Sequence, residues 1–121
     1  MKTMFLNPQT WDLAIDASGN IAAAQDPYAL AQNAASAIRL FLGEQWYNTT
    51  LGVPYLTANG RSQILARPVN VPLMKATLAA VAETVTGVST AQVFITSIAD
   101  RNVRGQVQVT DENGTTTAAL F

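Results

Sequence analysis

"AQVFITSIADRNVRGQVQVTDENGTTTAALF", residues 91–121, decides the fold. Ala91–Ala99 is apolar at Val93, Phe94, Ile95 and Ile98, on both faces of an extended chain, as expected of a central strand. Val103–Val109 alternates, placing Val103, Val107 and Val109 inward and Arg104, Gln106 and Gln108 outward. Asp111–Gly114, "DENG", is a hairpin loop with glycine at the left-handed position. "TTTAALF", Thr115–Phe121, then runs as a last strand. Three strands in succession make an antiparallel meander.

Working back from this meander, "NVPLMKATLAAVAETVTG" predicts a helix that starts near Asn70-Val71-Pro72, shows Met74, Leu78, Val81, Ala82 and Val85 on one face, and stops at Thr86-Gly87. Asn48 to Asn70 is a long irregular connection punctuated by Gly52, Pro54, Asn59-Gly60 and Pro68, and its charges, Arg61 and Arg67, are both positive. Before it, Asp26-Pro27 opens a first helix, with Asp26 as the cap and Pro27 in the first turn. Leu30, Ala34, Ala37, Ile38 and Phe41 form its buried stripe, opposite Gln32, Asn33, Ser36 and Arg39. Gly43 is its natural left-handed stop. At the start of the chain, "WDLAIDASGNIAAAQ" gives a short hairpin about Gly19-Asn20. The expected fold is α+β: a small mixed or antiparallel sheet, N-terminal hairpin plus C-terminal three-strand meander, with two main helices on one face.

Composition bounds the function. The chain has 121 residues, which is one domain, 1–121, with 49% apolar and only 12% charged residues. A low charge fraction suits burial against partners, and equally suits a compact Ala- and Val-rich monomer. Seven Lys and Arg stand against eight Asp and Glu, net charge −1, with no basic run, which argues against a nucleic-acid partner. Cysteine and histidine are absent, so disulfides, thiolate chemistry and the commonest general base and metal ligand are missing together. No glycine pattern resembles a phosphate loop, and no secretory signal or membrane-length apolar run is present, which places the chain in a cytoplasm without a membrane partner. Asp12 and Asp16 share a face of the first hairpin but lack the spacing of a calcium loop, and Asp100, Asp111 and Glu112 sit in turns, where Asp serves local hydrogen bonding. No enzyme, metal or cofactor is expected.

Three features could carry binding. Glu44, past the first helix, either pairs with Arg39, Arg61 or Arg67 or is solvated. Trp46, Tyr47 and Tyr55 either make a binding slot or pin the loop to the core, and pinning is the commoner use of such aromatics. The last strand is short, uncharged, rich in Thr and Ala, and has no residue after Phe121 to cover its edge. That edge either accepts a strand from another chain or is covered by a neighbour such as the N-terminal hairpin.

Taken in order, "DASGN", "ALAQNAASAIRLFLGE", "WYNTTLGVPY", "LMKATLAAVAETVTGV" and "AQVFITSIADRNVRGQVQVTDENG" resemble the baseplate wedge, or sheath-initiator, family of contractile phage tails. That family is related to the lysozyme-like baseplate subunit of type VI secretion systems. Many of its members carry Glu-Pro-Arg where this chain reads Glu44-Gln45-Trp46. The resemblance implies a structural virion protein of the tail baseplate, assembled in the host cytoplasm. Its partners would be the tail sheath protein, other wedge and hub proteins, and the tail tube, with six copies per baseplate. It also implies that the first sheath ring is templated by strand exchange. Arg104, Gln106, Gln108 and the Thr115, Thr116 and Thr117 face would then set selectivity. A cytosolic adaptor that dimerises through its edge strand, and a small carboxylate-dependent cell-wall hydrolase, are the alternatives.

Overall fold

The structure is a computed structural model that describes residues 1–55, 64, 70–100 and 102–121. Its elements are β1 (Lys2–Met4), β2 (Ala23–Gln25), α1 (Tyr28–Arg39), α2 (Val71–Glu83), β3 (Val88–Ala99), β4 (Asn102–Asp111) and β5 (Thr116–Leu120). The fold is α+β, with two helices and two small antiparallel sheets, one of two strands and one of three.

The three-stranded sheet has the order β3-β4-β5. Val107 and Val109 on β4, Val93 on β3 and Ala119 on β5 turn to the helices and are buried. Ile38 of α1 and Leu78 of α2 meet them in the core, each such side chain contributing about 1.5–3 kcal/mol by leaving water. α2 lies along β3, while α1 lies over β5 and β4. Gly105 on β4 carries no side chain because an added Cβ would strike the carbonyl oxygen of Phe94 and the ring of Phe121.

β3 is a margin of the sheet; the central strand is β4. The apolar residues that suggested a central position, Phe94 and Ile98, are exposed at 41% and 45%. Two register shifts, between Val88 and Thr90 and between Ile95 and Ser97, rotate the far end of β3 relative to its start. Val103 pairs with Ile98 beyond the cover of the helices, and so stays exposed although it shares the inner face.

α1 is buried almost all round. Ala29, Leu30, Ala31, Gln32, Ala34, Ala35 and Ile38 are all inaccessible, because the helix contacts the sheet, α2 and β2 together. Its alanines permit that close approach. Gln32 therefore does not lie on a solvent side. It is 2% exposed, its Oε1 accepts from the N–H of Leu6 at 2.9 Å and its Nε2 donates to the carbonyl of Met4 at 2.8 Å.

Those two bonds hold an N-terminal ribbon against α1. β1 pairs with β2, and the ribbon continues through the bridges Leu6–Leu13 and Ile15–Ile21 to the turn at Asp16–Asn20. The expected hairpin about Gly19 is thus present, but Leu13–Ile15 forms only its tip. The regular pairing of Ala23–Gln25 is with Lys2–Met4, and residues 7–12 make an excursion between the two parts of the first strand.

The sequence predicts a side-chain cap at both helix starts, and one differs. Asn70 caps α2, accepting from the N–H of Leu73 at 3.2 Å. For α1 the N-cap position is Pro27, and no side chain caps it. Asp26 instead pairs with the ammonium of Met1 at 2.6 Å. α1 also ends earlier than Gly43: its C-cap is Leu40, already extended.

Candidate interaction site

The sheet presents two margins, and hydrogen bonding distinguishes them. Asp111 donates to the carbonyl of Thr115 at 3.0 Å and Phe121 to that of Gly105 at 3.1 Å. In an antiparallel pair, bonded and non-bonded residue pairs alternate. Thr117 and Ala119 therefore also turn their main-chain groups to β4, and Thr116, Ala118 and Leu120 turn theirs outward from the sheet. No strand among the described residues receives them, since the N-terminal ribbon pairs with itself. The edge is open.

On β3 the same alternation sends the main-chain groups of Ala91, Val93 and Ile95 outward. Here the edge is blunted. Glu83 at the end of α2 accepts from the N–H of Ala91 at 3.2 Å. Lys75 stands 5.9 Å from the ring centre of Phe94. Bulged residues interrupt the strand, and Thr96 donates its hydroxyl to the carbonyl of Arg104 at 3.2 Å. Charged side chains and bulges are the usual devices against unwanted strand addition; β5 has neither.

The outer face of the sheet joins these margins. Phe94, Gln106 and Leu120 form one row across β3, β4 and β5, with the two apolar ends 41% and 48% exposed. Gln92, Gln108 and Ala118 form the next row, and Thr90, Thr110 and Thr116 the one after, in which the hydroxyls of Thr110 and Thr116 are 2.9 Å apart. Arg104, Gln106 and Gln108, outward as the alternation predicts, thus share the outer face with Thr116. Thr117 does not: it pairs with buried Val109 and faces the helices. Thr115 belongs to the turn, where its N–H donates to Asp111 Oδ1 at 2.9 Å.

The corner after α1 is built differently from the expectation. Val53 is buried and bonds back to the helix end, its N–H donating to Leu40 at 2.8 Å and its carbonyl accepting from Leu42 at 2.9 Å. Gly52 is required there, since a Cβ would lie 2.7 Å from the backbone of Phe41. Tyr55 pins the corner. Its hydroxyl donates to the carbonyl of Ile38 at 2.6 Å, and its ring packs on Phe41 at 5.1 Å. Burial pushes the Tyr55 hydroxyl up to about 12, against a smaller opposite pull from Arg39. Trp46 and Tyr47 pin nothing among the described residues: they are 88% and 68% exposed and pack edge-to-face on each other at 5.5 Å. Glu44 closes a local turn, its carboxylate accepting from the N–H of Phe41 at 3.1 Å. It makes no ion pair among the described residues. Arg61 and Arg67 lie outside the described residues. Arg39 stacks over Trp11, 4.6 Å from the ring centre.

A cavity of about 430 Å³ opens between this corner and the sheet, lined among others by Trp11, Arg39, Tyr55, Leu78, Arg104 and Phe121. Among the described residues its lining carries no acid, and a glycosidase site would need two. Among the described residues no three acids converge on a point, and no helix is long and apolar enough to cross a membrane. Comparison with protein-family models and with curated protein sequences gives no match to this chain.

Proposed function

We propose that the chain is a structural docking subunit of a contractile-tail baseplate, which templates the first sheath ring by accepting a strand on β5. The observation that carries the reading is the contrast between the two sheet margins. β3 is closed by a carboxylate, a lysine and two bulges, while Thr116, Ala118 and Leu120 offer main-chain groups that have no partner among the described residues. Main-chain bonds to such an edge supply affinity, and the side chains of alternate residues supply specificity. An added strand would continue the rows that end in Leu120, Ala118 and Thr116. The ordered resemblance to sheath initiators, from "DASGN" to "DENG", supplies the partner class: an extended arm of a sheath subunit, with wedge and hub proteins on the remaining surface. Register is fixed by the incoming main chain, so a preformed sheet edge sets the orientation of everything that polymerises on it.

The test mixes purified protein with sheath subunits and adjoining baseplate proteins and images whether ordered sheath starts from it. Seeding by the wild-type chain supports the reading. Absence of any binding to sheath or baseplate components removes it and favours a cytosolic adaptor.

A further inference from the structure

The N-terminal ribbon carries an apolar face that nothing among the described residues covers. Met4, Leu13, Ile15 and Ile21 are 56%, 49%, 76% and 58% exposed. The pairings Met4–Ala23, Leu6–Leu13 and Ile15–Ile21 put them on one side of the ribbon. The opposite side, with Phe5, Ala22 and Ala24, is the one turned in. This is no frayed end. Gln32 clamps it, Phe5 donates to Ala22 at 2.9 Å and Ala22 to Ala14 at 2.8 Å. Its turn is locked by Asp16 Oδ1, which accepts from Ser18 and Asn20. A held, contiguous apolar face of this kind marks an interaction surface.

Its charges name the occupant. Lys2, paired with Gln25, stands at one end of the face, and Asp16 stands at the other, beside the Ile15–Ile21 bridge. Neither makes an ion pair among the described residues. We propose that this face pairs with the same face of a second copy of the chain about a two-fold axis. Such pairing is isologous, so antiparallel ribbons set each Lys2 opposite the partner copy's Asp16, twice per dimer, while the apolar side chains meet between them. Parallel ribbons would set like charge on like. The ribbon is short, so the buried area falls below the roughly 1,200 Å² of a standard interface. Pairing is accordingly weak, with a Kd between micromolar and millimolar, and becomes significant where copies are already held close together. The inference is independent of the sheath reading.

Sedimentation velocity on the full chain over a rising concentration series tests it. The expected result is a reversible monomer–dimer equilibrium that salt weakens. Ile15→Ser with Ile21→Ser should raise Kd at least tenfold without lowering Tm, since both side chains are already exposed. Lys2→Glu and Asp16→Asn should each weaken the dimer severalfold; the second keeps the Oδ1 acceptor of the turn and removes only the charge. A chain that stays monomeric throughout, a dimer unaffected by the isoleucine pair, or association that salt only strengthens would each overturn the proposal. So would a dimer abolished by Ala118→Pro, which would place self-association at the sheet edge.

Discussion

The carboxylate of Glu83 accepts a hydrogen bond from the main-chain N–H of Ala91 at 3.2 Å, so the end of α2 caps the free margin of β3. Glu83→Ala should uncover that amide. The bond is solvent-exposed, and its loss should cost only about 0.5–1 kcal/mol in thermal unfolding. Amide exchange at Ala91 should quicken, and the chain should become more prone to associate through β3. Unchanged exchange at Ala91 would mean that the cap does not form in solution.

A proline scan separates the use of the β5 edge from its stability. The N–H of Ala118 points away from β4, whereas that of Ala119 points to it and its side chain is buried. Ala118→Pro removes an outward donor and should leave folding nearly intact, because proline is tolerated where the N–H faces solvent. Sheath seeding should fall at least tenfold. Ala119→Pro should destabilise by about 3 kcal/mol or more, since a ladder bond and a packed position are lost together. Ala91→Pro, at a half-buried residue whose N–H faces the other margin, should leave seeding intact. If Ala118→Pro seeds as well as wild type, the edge assignment is wrong, while the baseplate role stands. Truncation after Gly114 would be a poorer test, because β5 also buries Ala119 beneath α1.

Much of this arrangement is legible in the residues. The meander, both helices and the cap at Asn70 follow from period, turn chemistry and capping, which are local properties. What local pattern could not supply was which strand is central. Val93-Phe94-Ile95 is apolar on both faces, yet β3 is a margin, its outer side partly shielded by Lys75 rather than by another layer. Gln32 was misplaced for a related reason. A polar residue in a helix suggests solvent, but an amide can satisfy a neighbouring strand's main chain and be buried for that purpose. Trp46 and Tyr47 are exposed where the sequence favours a pin, because burial is set by what lies opposite, and nothing among the described residues does.

Gln32 gives a prediction of its own. Gln32→Leu has similar volume but leaves Leu6 N–H and Met4 C=O without their partner. Each orphaned group costs about 1–3 kcal/mol if it stays buried, so the ribbon should release from α1 to reach water. Amide exchange across residues 2–6 should rise more than tenfold while β4 stays protected. A uniform loss of protection across the whole chain would instead make the ribbon part of the same cooperative unit as the sheet.

Tyr55 ties the corner to α1 and sets a pH limit on the fold. Its folded hydroxyl is pushed up to about 12 by burial, from an ordinary value of 10.0. The unfolded chain therefore ionises first as pH rises. Between the two values the native state holds a proton that the unfolded state has released, and stability falls with increasing pH. The contribution is complete below pH 10.0 and is lost by about pH 12. Tyr55→Phe removes both the titration and the 2.6 Å bond to Ile38. It should cost about 0.5–1.5 kcal/mol at neutral pH and flatten the decline above pH 10.0. Denaturant melts of both chains across that range, with phenolate absorbance followed alongside, make the comparison. A wild-type decline no steeper than that of Tyr55→Phe would show that Tyr55 ionises as freely in the folded protein as in the unfolded chain, and that the corner is looser than its geometry implies.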